Sequence, residues 1–169
     1  GKDYVLKPTR PDDKPEWLLE KHGGSMPCLT EDPDGGTGAV SESAKIAAAA
    51  LPPTPADDAA IALTKGLFPA IANFIKNSNR GDDEPMLKTV KAELLKLEKH
   101  LGSIEGPYLS GTDTLGLSDC FVATKLYVLL YAGAPLKEFA FPNKEFPKVD
   151  AYIVKVFSTP QFWETRYDE

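Results

Sequence analysis

Between residues 84 and 101, Leu87, Val90, Leu94, Leu97 and Leu101 recur at alternating steps of three and four, and the positions between them are mostly Lys and Glu. That period lays one apolar stripe along a helix and leaves the rest of its surface to water. From Leu117 to Tyr131 the pattern changes: apolar residues stand on nearly every side (FVA, then LYVLLY), which predicts the buried central helix of a bundle. That central helix is expected over 116–132, and further helices over 56–77 with a kink at Pro69, over 147–157 and in a short turn at 160–166.

The first third has no such long periods. A short strand is expected at 3–6; Pro8, Pro11 and Pro15 then hold the backbone out of helix until Pro15 opens one over 15–22, which Gly23 and Gly24 end. Residues 27–30 and 39–40 flank the turn EDPDGGTG and read as two antiparallel strands, and Ser41 or Glu42 opens an Ala-rich helix over 42–51. LPPTPADD at 51–58 carries three prolines within four positions, which favours extended backbone. The domain division expected from it is 1–51, a linker at 52–58, and an all-helical domain at 59–169.

Composition narrows the classes. With 42% of its 169 residues apolar, the chain describes one folded unit or two small ones, not a disordered polymer. Twenty-five acidic against nineteen basic residues, with no Lys/Arg cluster, argue against nucleic acid or an anionic membrane as the main partner. No uninterrupted apolar run reaches the roughly 18 residues of a bilayer span. Cys28 and Cys120 have no CxxC spacing and no His nearby, so neither a zinc site nor a disulfide framework is supported, and a reducing compartment is expected. The residues after Gly1, KDYVLK, lack the features of a targeting segment, and the chain is expected to be processed or to lack its beginning.

Met26-Pro27 before a strand, Ser41-Glu42-Ser43 at the mouth of a helix, then a proline linker and a helical bundle together resemble the glutathione transferase superfamily. Within it the chain is similar to the plant-type dehydroascorbate reductases, in LKPTRPDDKPEWLLEKHGGSMPCL near the front and in GPYLSG, SDCFVATKLY and VFSTPQFWETR behind. The resemblance implies an α/β thioredoxin-like N-terminal domain, incomplete in this chain, followed by an all-α domain. A cis Met26-Pro27 would turn the backbone N–H and C=O of Met26 toward an extended peptide ligand, as the family holds the cysteinyl unit of glutathione. Ser43 sits at a helix start, where free N–H groups favour a carboxylate, and Glu42 beside it can take the ammonium of the same γ-glutamyl group. The bland reading of the serine is an ordinary N-cap. Lys14 matches a lysine that the family uses near the glycyl carboxylate; its alternative is a solvated loop residue.

Other residues read as structural. Trp17 is a core anchor, and His22 and His100 sit near helix C-termini, where an imidazolium gains from the dipole. Asp119 matches the acid of a buried helix cap whose Ser or Thr partner stands three residues earlier; Gly116 occupies that place, so Asp119 is expected to satisfy the loop backbone alone. Cys120 reads as an inert small hydrophobe on the buried helix, and Cys28 as a non-catalytic thiol beside Pro27. The family's nucleophile lies in a CPFC- or CPFS-like motif at a helix N-terminus, and no such motif occurs here, so the thiolate is expected upstream of Gly1. Ser25 stands where the plant enzymes favour a basic residue and Val128 where a histidine usually follows KLY, which touches the ascorbate-side contacts.

What the resemblance implies for activity is reduction of dehydroascorbate to ascorbate with glutathione as co-substrate, through a cysteine thiolate, with no metal or flavin. It implies a monomer with small-molecule substrates and with neither nucleic acid nor membrane as partner, in the cytoplasm or the chloroplast stroma. The alternatives are a glutathione transferase of another class, conjugating or thiol-transferring; a membrane-inserting relative of the chloride intracellular channel type; and a non-catalytic transferase-like interaction module.

Overall fold

Glu16–His22 forms the first helix, α1, in a computed structural model that describes residues 5–32 and 38–166. The chain divides into two compact units, Gly1–Pro52 and Pro53–Glu169. In the first, Pro15 caps α1 from just outside it, one residue from the expected start, and the positive φ of Gly23 ends it. The amide of Gly24 reaches back to the Leu18 carbonyl at 2.8 Å. Strands β1 (Cys28–Leu29) and β2 (Val40–Ser41) pair antiparallel, with Cys28 opposite Ser41 and Leu29 opposite Val40. Helix α2 (Ser43–Ala50) follows directly. Among the described residues of this unit, Leu18 is the one fully buried hydrophobic side chain. The strand expected at 3–6 lies partly outside the described residues; Val5 and Leu6 form no regular structure and are largely exposed. The expected turn at 31–38 is likewise described only at its ends.

The second unit is all helical: α3 (Pro55–Leu63), α4 (Leu67–Lys76), α5 (Asp83–Ser103), α6 (Leu117–Lys137), α7 (Pro147–Phe157) and α8 (Pro160–Thr165). The predicted stripe of α5 buries Val90, Leu94 and Leu97 completely, with Leu87 and Leu101 packed at its edges. The same core holds Leu67, Ile71 and Phe74 of α4, Val122, Leu126 and Leu129 of α6, and Val149, Tyr152 and Val156 of α7.

Four expectations need correction here. The linker ends at Thr54, because Thr54 and Asp57 close a capping box in which each accepts from the other's backbone amide, and Pro55 fills the first helical position. The helix expected over 56–77 breaks at 64–66, not at Pro69; Pro69 is the third residue of α4, where its missing N–H costs no intrahelical bond. Helix α6 runs through Pro135 to Lys137, and Val128 and Tyr131 on it stay exposed, so its apolar surface is not buried on every side. Finally, the stretch Pro55–Lys76 and helix α6 are each long and apolar enough, by length and composition, to cross a bilayer, which counting uninterrupted apolar runs misses. Here both contribute to the bundle core.

Two helix starts in this unit, those of α6 and α7, take carboxylates from other helices. Asp57 Oδ1, on α3, accepts from the Ser118 amide at 3.1 Å and the Ser118 hydroxyl at 2.7 Å, in the first turn of α6. A Cβ on Gly116 would stand 2.4 Å from that oxygen, so only glycine admits the approach. Asp119 accepts from the amides of Leu109 and Gly116 and from the Tyr152 hydroxyl, at 3.0, 2.8 and 2.9 Å. As expected, Asp119 alone answers these loop amides, while Asp57 adds a contact to Ser118 inside the first turn that the sequence did not signal. In the same way Glu98 of α5 accepts from the amides of Lys148 and Val149, in the first turn of α7, whose own N-cap is Phe146. A third tie joins α5 and α6: the buried Lys137 ammonium donates at 2.6 Å to both the Asn77 carbonyl and Asp83 Oδ1, and holds the Asp83 carboxyl below its ordinary range.

The two carboxylates at the start of α6 titrate in opposite directions. Burial pushes Asp57 up, but hydrogen bonds from Ser118 and Thr54 outweigh it and lower the group from 3.8 to about 2. For Asp119, burial prevails over its three donors, the Asp57 charge adds to it, and the group is raised. A depressed folded value means that the Asp57 contribution is complete above the ordinary carboxylate range and is lost as pH falls from about 4 through about 2. Asp57→Asn is therefore expected to destabilise the fold by about 1–3 kcal/mol at pH 7, and the gap to the parent protein is expected to shrink toward pH 2. Urea melts across that pH range measure it; a gap independent of pH refutes the assignment.

Candidate functional site

The corner where β1, β2 and α2 meet is held by a few short-range contacts. The Met26-Pro27 peptide bond is cis, and the Pro27 carbonyl accepts from the Glu42 amide at 3.3 Å. Because Cys28 pairs with Ser41, the hairpin brings positions 26–27 beside positions 42–43, fifteen to seventeen residues on. Met26 is 40% exposed. Glu42 takes a φ of 77°, a left-handed conformation uncommon for a residue with a side chain, and directs the chain from β2 into α2. Ser43 is the first residue of α2 and is exposed. No side-chain cap bond is made at this helix start, so the hydroxyl and the first-turn amides face a position that an acceptor can fill.

Met26, Pro27, Glu42 and Ser43 thus come together as the sequence suggested. Lys14 is half-buried, and its ammonium donates to the Gly24 carbonyl at 2.9 Å, two residues ahead of Met26. That bond uses one of its three donors. A residue the sequence reading missed is Lys45: its Nζ lies 2.8 Å from Glu42 Oε1, with both side chains well exposed. The signal was present as i, i+3 spacing in the first turn of an Ala-rich helix.

Neither cysteine stands in an activating environment. Burial pushes the Cys28 thiol up. Cys120 sits on the exposed side of α6, a correction to its expected burial; partial desolvation and then the Asp119 charge raise its thiol as well. Trp17 is half-buried, edge-on to His22 at a centroid distance of 6.4 Å, and His100 Nε2 lies 2.8 Å from the Leu109 carbonyl. The Ser25 amide closes onto the His22 carbonyl at 3.0 Å. Among the described residues no group of three or more His, Cys, Asp and Glu side chains is placed to hold a metal ion.

No family model matches the chain. It is 27% identical over 161 residues to Glutathione S-transferase DHAR2 of Arabidopsis thaliana, an alignment covering 91% of this chain and 71% of that protein. It superimposes on the crystal structure of Chlamydomonas reinhardtii dehydroascorbate reductase with a TM-score of 0.78 and 23% identity, over 98% of this chain and 78% of the other. The fold is that of this reductase structure, with a small unit that carries a two-stranded sheet among its described residues ahead of an all-helical one. In sequence and in structure alike, the chain resembles the plant-type dehydroascorbate reductases.

The surroundings of the two thiols lead to a direct expectation. Followed by absorbance at 240 nm, Cys28 and Cys120 should ionise only above the free-cysteine value of about 8.5. A thiolate signal already present at pH 6 would show that one of them is activated.

Proposed function

We propose that the protein binds glutathione through Met26, Pro27, Glu42 and Ser43, with Lys14 at its glycyl end, and serves the glutathione-dependent reduction of dehydroascorbate to ascorbate. The observation that carries this reading is the junction of the cis Met26-Pro27 bond with the Glu42-Ser43 start of α2, tied by the Glu42 amide to the Pro27 carbonyl. An extended cysteinyl backbone pairs with the strand edge at Met26. The γ-glutamyl carboxylate meets the Ser43 hydroxyl and the amides at the positive end of α2, and its ammonium meets Glu42. The two relatives support the reductase assignment by their names and by the extent of their likeness.

In this reaction a thiolate attacks the oxidised substrate, ascorbate leaves, and glutathione resolves the oxidised cysteine through a mixed disulfide, a second glutathione releasing the thiol. With both of its own thiols raised, the chain supplies the glutathione subsite rather than the nucleophile, which this reading assigns to a cysteine beyond these 169 residues. The same raised thiols favour, as a second reading, a glutathione-binding module without redox chemistry of its own.

Calorimetric titration with glutathione tests the site. Ser43→Ala is expected to weaken binding by about 1–3 kcal/mol, a factor of about 5 to 150; unchanged affinity in both Ser43→Ala and Glu42→Ala sinks the assignment. A separate assay tests the chemistry. The 169-residue chain is expected to reduce dehydroascorbate no faster than glutathione does unaided, and a rapid rate abolished by Cys28→Ser would place the nucleophile on β1 instead.

A further inference from the structure

Lys45 occupies an unusual place. It stands in the first turn of α2, where the helix dipole disfavours a cation and where no acidic residue follows Glu42. Its ammonium lies 2.8 Å from Glu42 Oε1, and Glu42 has no other side-chain partner among the described residues. Both side chains are about 60% exposed, so the pair is an exchangeable surface ion pair rather than a structural one. The carboxylate assigned above to the ligand's ammonium is therefore already neutralised by an ammonium of the chain itself.

Resting on the glutathione reading of this corner, we propose that Lys45 is the resident counter-ion of Glu42, which the ligand's α-ammonium must displace. One ammonium replaces another at the same carboxylate oxygen, and Lys45 is released to water. The local charge at Glu42 is the same before and after, so the ligand's ammonium adds little affinity while Lys45 is present, and specificity for the amino end of glutathione is held below what Glu42 alone would confer. The freed Lys45 and the helix N-terminus continue to favour the ligand's carboxylate, which keeps the anionic half of recognition independent of this exchange.

The test compares glutathione with its deamino analogue, glutaryl-cysteinyl-glycine, by calorimetry on the parent protein, Lys45→Gln and Glu42→Gln. In the parent the two ligands are expected to bind with dissociation constants within about twofold of each other. In Lys45→Gln the ratio of the deamino to the glutathione dissociation constant is expected to rise by about two- to fivefold, the span of an exposed ion pair. Glu42→Gln in the Lys45→Gln background should abolish that rise. Because the inference rests on a ratio of two ligands on one protein, a general loss of fold or affinity cancels. An unchanged or smaller ratio in Lys45→Gln, with glutathione still weakened by Ser43→Ala, overturns the role of Lys45 and leaves the site standing. Failure of Glu42→Gln and Ser43→Ala to alter glutathione binding overturns both.

Discussion

One carboxylate, Asp57, ties together the two ends of the helical unit's construction. Its Oδ2 closes the capping box of its own helix with Thr54, and its Oδ1 takes the amide and hydroxyl of Ser118 in the first turn of α6, sixty-one residues on. A helix start leaves several N–H groups without intrahelical partners, and in a buried setting each must be answered or costs about 1–3 kcal/mol. Gly116 removes the side chain that would block this contact, and Asp119 takes the remaining donors from the Gly116 and Leu109 amides. With its start held, α6 can present Val122, Leu126 and Leu129 to the shared core beside α4 and α7, and the core follows from that placement.

The same arrangement recurs where Glu98 of α5 caps α7, whose N-cap is a phenylalanine buried in the core. A capping side chain carried on another helix fixes relative position as well as local conformation, since it satisfies the helix start only when the two helices are in register. The bundle is in this sense specified by a small number of polar contacts laid over a large apolar surface. The Lys137–Asp83 pair adds a further fixed point between α5 and α6.

The N-terminal unit is built differently. With Leu18 as its one fully buried hydrophobic side chain among the described residues, its candidate site depends on short-range devices: a cis proline, a two-residue ladder, and Glu42 in a left-handed turn. Such devices hold backbone donors and acceptors in place without a deep core behind them. They suit a ligand that is recognised largely through its own backbone and its charged termini.

Much of this was legible in the residues. Helical periods placed the buried stripe of α5, proline and glycine marked the limits of α1, and the hairpin expected of 27–30 with 39–40 forms, which sets Met26-Pro27 beside Glu42-Ser43, because hairpin pairing is a local consequence of sequence. Other features depend on residues far apart in the chain. Asp57 capping α6, Glu98 capping α7, and a buried lysine at 137 involve separations of about fifty to sixty residues, and no periodicity signals them. The break at 64–66 escaped because Pro69 is the stronger breaker in isolation, yet a proline in the first turn of a helix forfeits nothing. Local propensity and hydrophobic period determined which segments became helices and which pair formed the hairpin. Only the packed structure decided which carboxylate answers which helix start, because that choice depends on a distance between segments and not on the residues within either one.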